Sequence, residues 1–339
     1  MSDVICILPR VEGLGGPASF RARLVAGFQA RGIRVTQDVD EPGCAALLVI
    51  GGISRLDILV RARRRGLRLV QRLNGMNWIH RRRFTGLRHF WRSEWNNLIL
   101  AAIRRSLADR IVYQSQFART WWQTVHHAVQ APSVVIYNGV DLQQFTPFGP
   151  GDRPQDHYRL LLVEGRLGGG NEQGLENAVQ LAARLNQMLD RRVELVVVGD
   201  VPAKLSAHYD YQYPGLVSWQ GVIPRDQIAA IDRSAHLLFS ADLNAACPNS
   251  VIEALACGLP VVAYATGSLP ELIEGDAGLT VPWGSNFWRL EPPSLPPLAD
   301  AAARILREQA YFRPRARARA EAAFGLDCMV NRYLEALLG

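Results

Sequence analysis

Continuous apolar runs alternate with segments of helical spacing along most of the chain. Val4–Leu8 and Cys44–Ile50 are runs of this kind, and so is Val193–Val198 apart from Glu194. Such runs are typical of strands buried on both faces of a parallel sheet. Between such runs, apolar side chains repeat at helical spacing, for example over Ala18–Ala30. This alternation predicts an α/β fold built from doubly wound parallel sheets.

The chain is long enough for two domains of this kind. It has 339 residues, of which 48% are hydrophobic, and a chain of this size usually forms more than one core. Asn138-Gly139 is a turn signal, and the segment Pro147–Pro154 is rich in proline and glycine. We therefore predict an N-terminal domain over residues 1–147, a C-terminal domain over 155–320, and a final helical segment over 321–339.

The stretch Ala245–Ala263 holds the strongest candidate site. Its apolar spacing predicts a helix with Asn249 or Ser250 as N-cap and Glu253 in the first turn. Backbone N–H groups at a helix start, here Asn249, Ser250 and Val251, suit a phosphate. An ionised Glu253 would accept hydrogen bonds from two ribose hydroxyls. The alternative is an ordinary helix-to-strand unit in which Glu253 caps its own helix.

The sequence PNSVIEALACGLPVVAYATGSLPELI, at residues 248–273, resembles the donor-binding signature of glycosyltransferase family 4. The resemblance implies a retaining enzyme that uses a nucleotide-diphosphate sugar. It also implies the GT-B fold: two Rossmann-like doubly wound domains facing across a cleft, with the last helix packing back on the N-terminal domain. The family carries two glutamates spaced E-x7-E. Glu253 matches the second, which binds the ribose, whereas Ala245 stands where the first, a sugar-hydroxyl contact, would be.

Gly165-Arg166-Leu167 resembles the GRL motif of the same family. The resemblance implies that Gly165 and Arg166 bind the donor diphosphate, a role that suits the planar fork of a guanidinium group. The lysine that normally follows is missing, and Gln173 is its nearest match. Gln173 lies in a glycine-rich insert, residues 168–174, whose N–H groups could form an anion-binding nest.

The resemblance carries further donor contacts onto glycine loops and strand ends. In the N-terminal domain they are Gly15 and Gly16; in the C-terminal domain, after two strands, they are Gly199, Asp200, Gly221, Val222 and Ile223. We predict Arg166 and Glu253 as residues that act in the reaction. Asn74 and His80 follow the run RLVQRL, and loops after strands of open α/β sheets bind ligands. They are candidate catalytic or acceptor-side contacts, and a structural role is the alternative for each.

Positive charge is concentrated in the N-terminal half. Residues 1–150 hold 21 Lys+Arg against 9 Asp+Glu, and residues 151–339 hold 17 against 22. The most basic stretch joins arginines with aromatic residues: Arg81, Arg82, Arg83, Phe84, Arg88, Trp91, Arg92 and Trp95. Two interpretations stay open, a solvated helix face with partly buried tryptophans and an interfacial patch for anionic lipid head groups. No nucleic-acid-binding motif accompanies the stretch, so nucleic acid ranks last among partners.

Together these features predict transfer of a hexosyl unit from a nucleotide-diphosphate sugar to a saccharide or lipid-linked acceptor, with retention, in polysaccharide or glycolipid synthesis. We expect no metal, because no DxD-like motif fits. No apolar run reaches about 18 residues, and the first residues lack a basic signal-peptide region. We therefore expect a cytoplasmic protein, peripheral at the inner face of the membrane.

Two alternatives to a transferase stay open. A nucleotide-sugar epimerase with the GT-B fold would need acid–base carboxylates, which the sequence does not identify. A degenerate, non-catalytic nucleotide-sugar-binding protein would explain both Ala245 and the missing lysine.

Overall fold

The computed structural model describes residues 4–11, 13, 15–168 and 172–339. The chain divides into two compact units. The first comprises Met1–Gly139 together with Gly325–Gly339, and the second comprises Val140–Phe324. Each unit is built on its own parallel sheet.

The sheet of the first unit has six strands in the order β2-β1-β3-β4-β5-β6. The strands are β1 (Val4–Leu8), β2 (Arg34–Thr36), β3 (Cys44–Ile50), β4 (Arg68–Leu73), β5 (Arg110–Tyr113) and β6 (Ser133–Val135). The helices before the chain leaves this unit are α1 (Gly16–Gln29), α2 (Leu56–Arg64), α3 (Leu87–Ser106) and α4 (Gln116–His126). The apolar runs form central strands because helices cover both faces of a parallel sheet, and most of β1 and β3 is buried.

The second unit also has six parallel strands, in the order β12-β11-β10-β7-β8-β9. They are β7 (Tyr158–Arg166), β8 (Val193–Asp200), β9 (Val217–Gly221), β10 (Leu237–Ser240), β11 (Val261–Tyr264) and β12 (Gly278–Val281). The helices are α5 (Glu172–Met188), α6 (Ala203–Gln212), α7 (Ile228–Ser234), α8 (Asn249–Ala256), α9 (Leu269–Leu272), α10 (Leu295–Arg307) and α11 (Gln309–Ala323).

The strand order of the second unit is that of the dinucleotide-binding Rossmann fold. The chain winds outward from β7 through β8 to β9, then returns to pair β10 with the other edge of β7. The connections therefore run in opposite directions from β7 and β10. Ligands of such sheets bind beyond the carboxyl ends of the strands at this reversal.

The chain returns to the first unit as its last helix, α12 (Leu326–Leu338). The ring of Tyr333 lies 5.3 Å from that of Phe20 on α1, and both side chains belong to the core of the first unit. The prediction of a single helical segment from residue 321 onward is wrong. Residues 321–323 are the end of α11, and Gly325, whose backbone is extended, separates α11 from α12. The last helix therefore completes the core beneath the first sheet.

We predict that Gly27→Ala destabilises the protein. A Cβ atom at Gly27 would lie 2.4 Å from Cγ2 of Val330, so α1 and α12 would have to separate. Overpacking of this kind costs about 1–3 kcal/mol, which outweighs the gain of about 1 kcal/mol expected for Gly→Ala inside a helix. Urea denaturation measures the difference.

The double variant Gly27→Ala/Val330→Ala is the control, because removing the Val330 methyl groups makes room for the new one. Adding Gly27→Ala to the Val330→Ala protein should therefore lower the free energy of unfolding less than adding it to the wild type does. A Gly27→Ala protein at least as stable as the wild type would show that this helix contact is looser than described.

Candidate functional site

Arg166 ends β7, at the reversal of strand order in the second unit. Its side chain is 70% exposed, and its Nε lies 3.6 Å from Oδ2 of Asp200, at the end of β8. An exposed ion pair of this length contributes little to stability. The guanidinium group is therefore available to an anion beyond the carboxyl ends of these strands.

Gly199 allows β8 to approach β7 at this place. Its φ is +140°, and a Cβ atom there would lie 2.0 Å from the carbonyl oxygen of Glu164. A side chain at this position would push the two strand ends apart. The approach sets Asp200 beside Arg166 in the strand register. On the far side of β8, Val222 follows β9 and is 53% exposed.

The helix start in the central motif differs from the predicted one. Pro248 is the N-cap, and Asn249, Ser250 and Val251 are the first three residues of α8. Neither Asn249 nor Ser250 caps the helix, because the extended backbone at Pro248 brings the chain into the helix one residue earlier. Proline has no side-chain acceptor, and the backbone N–H groups at a helix start carry the positive end of its dipole. The start of α8 thus has the properties of a phosphate site.

Glu253 is the fifth residue of α8 and not part of its first turn, which contains no acidic residue. Since the helix dipole acts mainly on the first turn, it is not what favours the ionised form of Glu253. The residue is 8% exposed, so it is largely covered by its neighbours. One neighbour is Asp232 on α7, whose pKa is raised by burial and further by the charge of Glu253.

The loop between β10 and α8 is fixed by the loop that follows β11. The backbone N–H of Ser268 donates to the carbonyl oxygen of Ala245 at 2.9 Å, and a Cβ atom at Gly267 would lie 2.6 Å from the amide nitrogen of Ala245. Ala245, which replaces the glutamate of the family pattern, is held through its backbone and offers only a methyl group.

Glu164 and Asp242 form a carboxylate pair that the sequence analysis missed. Glu164 lies near the end of β7, and Asp242 follows the adjacent strand β10. Burial and the charge of Asp242 raise the pKa of Glu164 well above its usual value, and burial raises the pKa of Asp242. Asp242 is partly buried in the loop that follows β10. The sequence does contain one signal for Glu164: it is a single acid directly after the apolar run LLLV at residues 160–163.

Two parts of the predicted anion site are only partly described. Residues 169–171, the middle of the glycine-rich insert, lie outside the described residues, so the anion nest stays a prediction. Gln173 lies in the first turn of α5, which begins at Glu172. In the first unit, Gly15 is the N-cap of α1 and Gly16 its first residue, while Leu14 in the same loop lies outside the described residues.

The two candidates after β4 are held by neighbours in the first unit. The carbonyl oxygen of Asn74 accepts a hydrogen bond of 2.7 Å from Nε1 of Trp122. The His80 side chain is 1% exposed, and its Nε2 lies 2.7 Å from Oε1 of Glu94. Arg81 donates to both oxygens of the same carboxylate. A contact of Asn74 or His80 with a substrate stays a prediction.

The basic and aromatic stretch contains an exposed apolar face on α3. Leu87, Trp91, Trp95 and Leu98 repeat at spacings of three and four residues and therefore share one side of the helix. With Phe84 just before the helix, they form what we call the α3 stripe; Trp91 and Trp95 are 69% and 62% exposed. The interpretation of this stretch as a solvated helix face expected partly buried tryptophans, whereas Trp91 and Trp95 are exposed. Among the described residues, no helix is long and apolar enough to cross a membrane.

Domains with the strand order of the second unit bind nucleotides at the reversal, where Arg166 and the start of α8 lie. Residues 158–307 match the family model for glycosyl transferases group 1. A curated relative, the GDP-mannose-dependent alpha-(1-6)-phosphatidylinositol dimannoside mannosyltransferase of Mycobacterium tuberculosis, is 30% identical over 178 residues, which cover 50% of this chain and 44% of the relative. The chain spans about a third to a half of the length of the curated relatives it matches.

Solved structures of other proteins resemble nearly the whole chain. Sucrose-phosphate synthase from Thermosynechococcus elongatus matches with a TM-score of 0.74 at 18% identity, covering 99% of this chain and 98% of that one. HepE from Anabaena, in complex with UDP-glucose, matches with a TM-score of 0.69 at 17% identity, covering 98% and 99%. The fold is therefore GT-B, with two Rossmann-like domains, as predicted.

We predict that Glu94→Gln lowers the melting temperature at pH 7 more than at pH 3. The Arg81 guanidinium, with a smaller contribution from His80, lowers the pKa of Glu94 to about 2 from its usual value near 4.5. The ionised carboxylate therefore stabilises the fold fully above pH 4.5, and this contribution is lost as the pH falls towards 2. Thermal unfolding at the two pH values measures it.

Glu176→Gln, at an exposed position on α5, is the matched control and should change little at either pH. A melting-temperature difference for Glu94→Gln that is the same at pH 3 and pH 7 would contradict the ionic role of Glu94.

Proposed function

We propose that this chain transfers a hexosyl unit from a nucleotide-diphosphate sugar to an acceptor hydroxyl, with retention of the anomeric configuration. The observation that carries the proposal is the joint position of Arg166 and the start of α8 at the strand-order reversal of a glycosyl transferases group 1 domain. A diphosphate placed there would meet a guanidinium group and backbone N–H groups together.

These groups suit the chemistry of the transfer as well as binding. When the bond from the sugar to the diphosphate breaks, negative charge develops on the leaving phosphate. Donors already aimed at that oxygen stabilise it without reorganisation. We expect Arg166 and the start of α8 to meet this charge, without a metal. The strand-end residues Gly199, Asp200, Val222 and Ile223 are then expected to hold the nucleobase.

We propose that the acceptor is presented at an anionic membrane surface, in glycolipid or polysaccharide synthesis. The α3 stripe gives an apolar surface, and the exposed Arg88 and Arg92 lie on the same helix. Amphipathic helices that combine arginine with tryptophan bind in the interface of anionic bilayers. The relative from Mycobacterium tuberculosis, whose name includes a phosphatidylinositol dimannoside, makes a lipid-linked acceptor a reasonable first choice.

The carboxylate pair of Glu164 and Asp242 favours one second candidate, a nucleotide-sugar epimerase. Such an enzyme needs acid–base groups beside the sugar, and this pair lies at the ends of β7 and β10. A thermal-shift panel of nucleotide sugars followed by product analysis separates the possibilities. Product that forms only with an acceptor, with the donor's anomeric configuration by NMR, supports the transferase. Turnover of a nucleotide sugar without an acceptor supports the epimerase. Binding without turnover supports a degenerate, non-catalytic nucleotide-sugar-binding protein.

Arg166→Ala should weaken binding of the preferred nucleoside diphosphate by about 1.5–3 kcal/mol, the contribution of a charged hydrogen bond. Isothermal titration calorimetry with UDP and GDP measures this change. Arg184→Ala, at an exposed position on α5, is the control and should bind as the wild type does. If the affinity of Arg166→Ala for the nucleoside diphosphate is unchanged, Arg166 does not bind the diphosphate.

Glu253→Gln keeps the shape of the side chain and removes its charge. A ribose contact predicts donor binding weaker by about 1–3 kcal/mol with little change in melting temperature. A purely structural Glu253 predicts the reverse, a lower melting temperature and normal affinity. Wild-type affinity in a well-folded Glu253→Gln protein would contradict the ribose contact.

Binding to vesicles should require anionic lipid and decrease with salt, because the arginines act through screened charges. The double variant Trp91→Ser/Trp95→Ser should bind more weakly, since it removes the two tryptophan side chains from the α3 stripe. Tyr211→Ser, at a side chain 88% exposed in the second unit, is the control. Equal binding to neutral and anionic vesicles, or no binding to either, would contradict the proposal that the α3 stripe binds an anionic membrane.

A further inference from the structure

Two residues with amide side chains, Asn74 and Gln114, are neighbours at the carboxyl edge of the first sheet. Asn74 follows β4, and Gln114 follows the adjacent strand β5. The last residues of these strands, Leu73 and Tyr113, are partners in the parallel register. The backbone N–H of Gln114 also donates to the carbonyl oxygen of Leu73 at 3.2 Å. The two side chains therefore start from adjacent strand ends, which lie about 5 Å apart in a sheet.

The fold uses neither of these side-chain amides. Among the described residues, the hydrogen bonds of Asn74 and Gln114 are made by their backbone atoms alone. Asn97, a largely buried amide on α3, shows the usual situation. Its Oδ1 accepts from the backbone N–H of Asn77 at 3.0 Å, and its Nδ2 donates to the carbonyl oxygen of Asn77 at 2.8 Å. The amides of Asn74 and Gln114 are thus left to bind a ligand.

Gln114 carries most of this argument, because it is only 4% exposed. Fully enclosed polar atoms without a partner include both amide atoms of Asn244 but none of Gln114. The stem of Gln114 is therefore covered while its amide end still reaches solvent. A polar side chain buried this far without a partner costs free energy, and a ligand that bonds the amide would offset that cost.

The backbone beneath both amides is held in place by α4. Nε1 of Trp122 on this helix donates to the carbonyl oxygen of Asn74 at 2.7 Å. Ser115, which directly follows Gln114, is the N-cap of α4, and its side chain accepts a hydrogen bond from the first turn of the helix. A ligand that binds both amides thus has little backbone to order, which lowers the cost of binding.

The chemistry of the pair favours an uncharged ligand with several hydroxyl groups. Each amide has both a donor and an acceptor, so it can bond a hydroxyl group in either direction. Arg104, a cation beside this place, is already engaged. It donates to the Tyr113 hydroxyl at 2.7 Å and to the carbonyl oxygens of His126 and His127. A sugar ring fits the pair better than a phosphate group does.

We propose that Asn74 and Gln114 together bind the saccharide acceptor, with the two amides contacting neighbouring hydroxyl groups of one sugar ring. The inference rests on the proposed function, because it assigns the acceptor of that transfer to the first unit. It adds Gln114 to the acceptor contacts. It also identifies the group held at these strand ends as a sugar ring rather than a phosphate or a lipid chain.

Saturation-transfer NMR with methyl α-mannoside, methyl α-glucoside and myo-inositol tests the site without a donor. Gln114→Met keeps the length of the side chain and removes its amide. Its affinity for the best of these probes should fall about two- to tenfold, the range of a neutral hydrogen bond. Asn74→Ala should have an effect of similar size. Gln29→Ala, at an exposed amide on α1, is the control and should bind as the wild type does.

The melting temperature separates a binding role of Gln114 from a structural one. Because its amide has no partner in the fold, Gln114→Met should melt close to the wild type. A lower melting temperature with unchanged affinity for the probe would make Gln114 a structural residue and overturn the proposal, as would a wild type that binds none of the three probes. If Gln114→Met does not fold, Asn74→Ala decides, since Asn74 is only partly buried.

Calorimetry with UDP and GDP distinguishes failure of this inference from failure of the proposed function. Gln114→Met and Asn74→Ala should bind the preferred nucleotide within about twofold of the wild type, because the donor is proposed to bind the second unit. Nucleotide binding combined with wild-type saccharide binding in both variants would overturn this inference alone. A wild type that binds neither nucleotide would overturn the proposed function and, with it, the acceptor role of the pair.

Discussion

The reversal of strand order between β7 and β10 is the constraint on which the candidate site depends. Because β10 pairs with β7 after the chain has wound outward through β8 and β9, the connections on the two sides diverge beyond the strand ends. The end of β7 supplies Arg166, and the loop after β10 leads into the start of α8. Neither group needs a dedicated loop insertion to reach this place, since the parallel topology brings both strand ends to the same edge.

The charges at this edge are mixed. Arg166 and the start of α8 favour an anion, yet Glu164, Asp242 and Asp232 are acids in the same unit. Burial resolves the conflict in part, because it raises the pKa values of all three acids and so favours their neutral forms. Glu253 is the acid with a proposed ionised role. The proposed site therefore combines groups that favour an anion with buried carboxyl groups whose raised pKa values favour the neutral form.

Much of the fold could be predicted because apolar runs and glycine turns are local signals. The strands at Val4–Leu8 and Cys44–Ile50 have the predicted bounds for this reason. The start of α8 could not be placed from composition, since the backbone conformation of Pro248 decides it and moves Glu253 out of the first turn. The proximity of Glu164 to Asp242, and of Asp232 to Glu253, depends on which strands and helices are neighbours. The burial of His80 against Glu94 depends in the same way on α3 lying beside the loop after β4.

Hydrogen–deuterium exchange with and without a saturating nucleoside diphosphate, UDP or GDP, tests the central claim most directly. The account predicts slower exchange of backbone amides after β7 and in the first turn of α8, where the diphosphate would be held. Protection confined to the first unit, or to parts of the second unit away from the ends of β7 and β10, would contradict it.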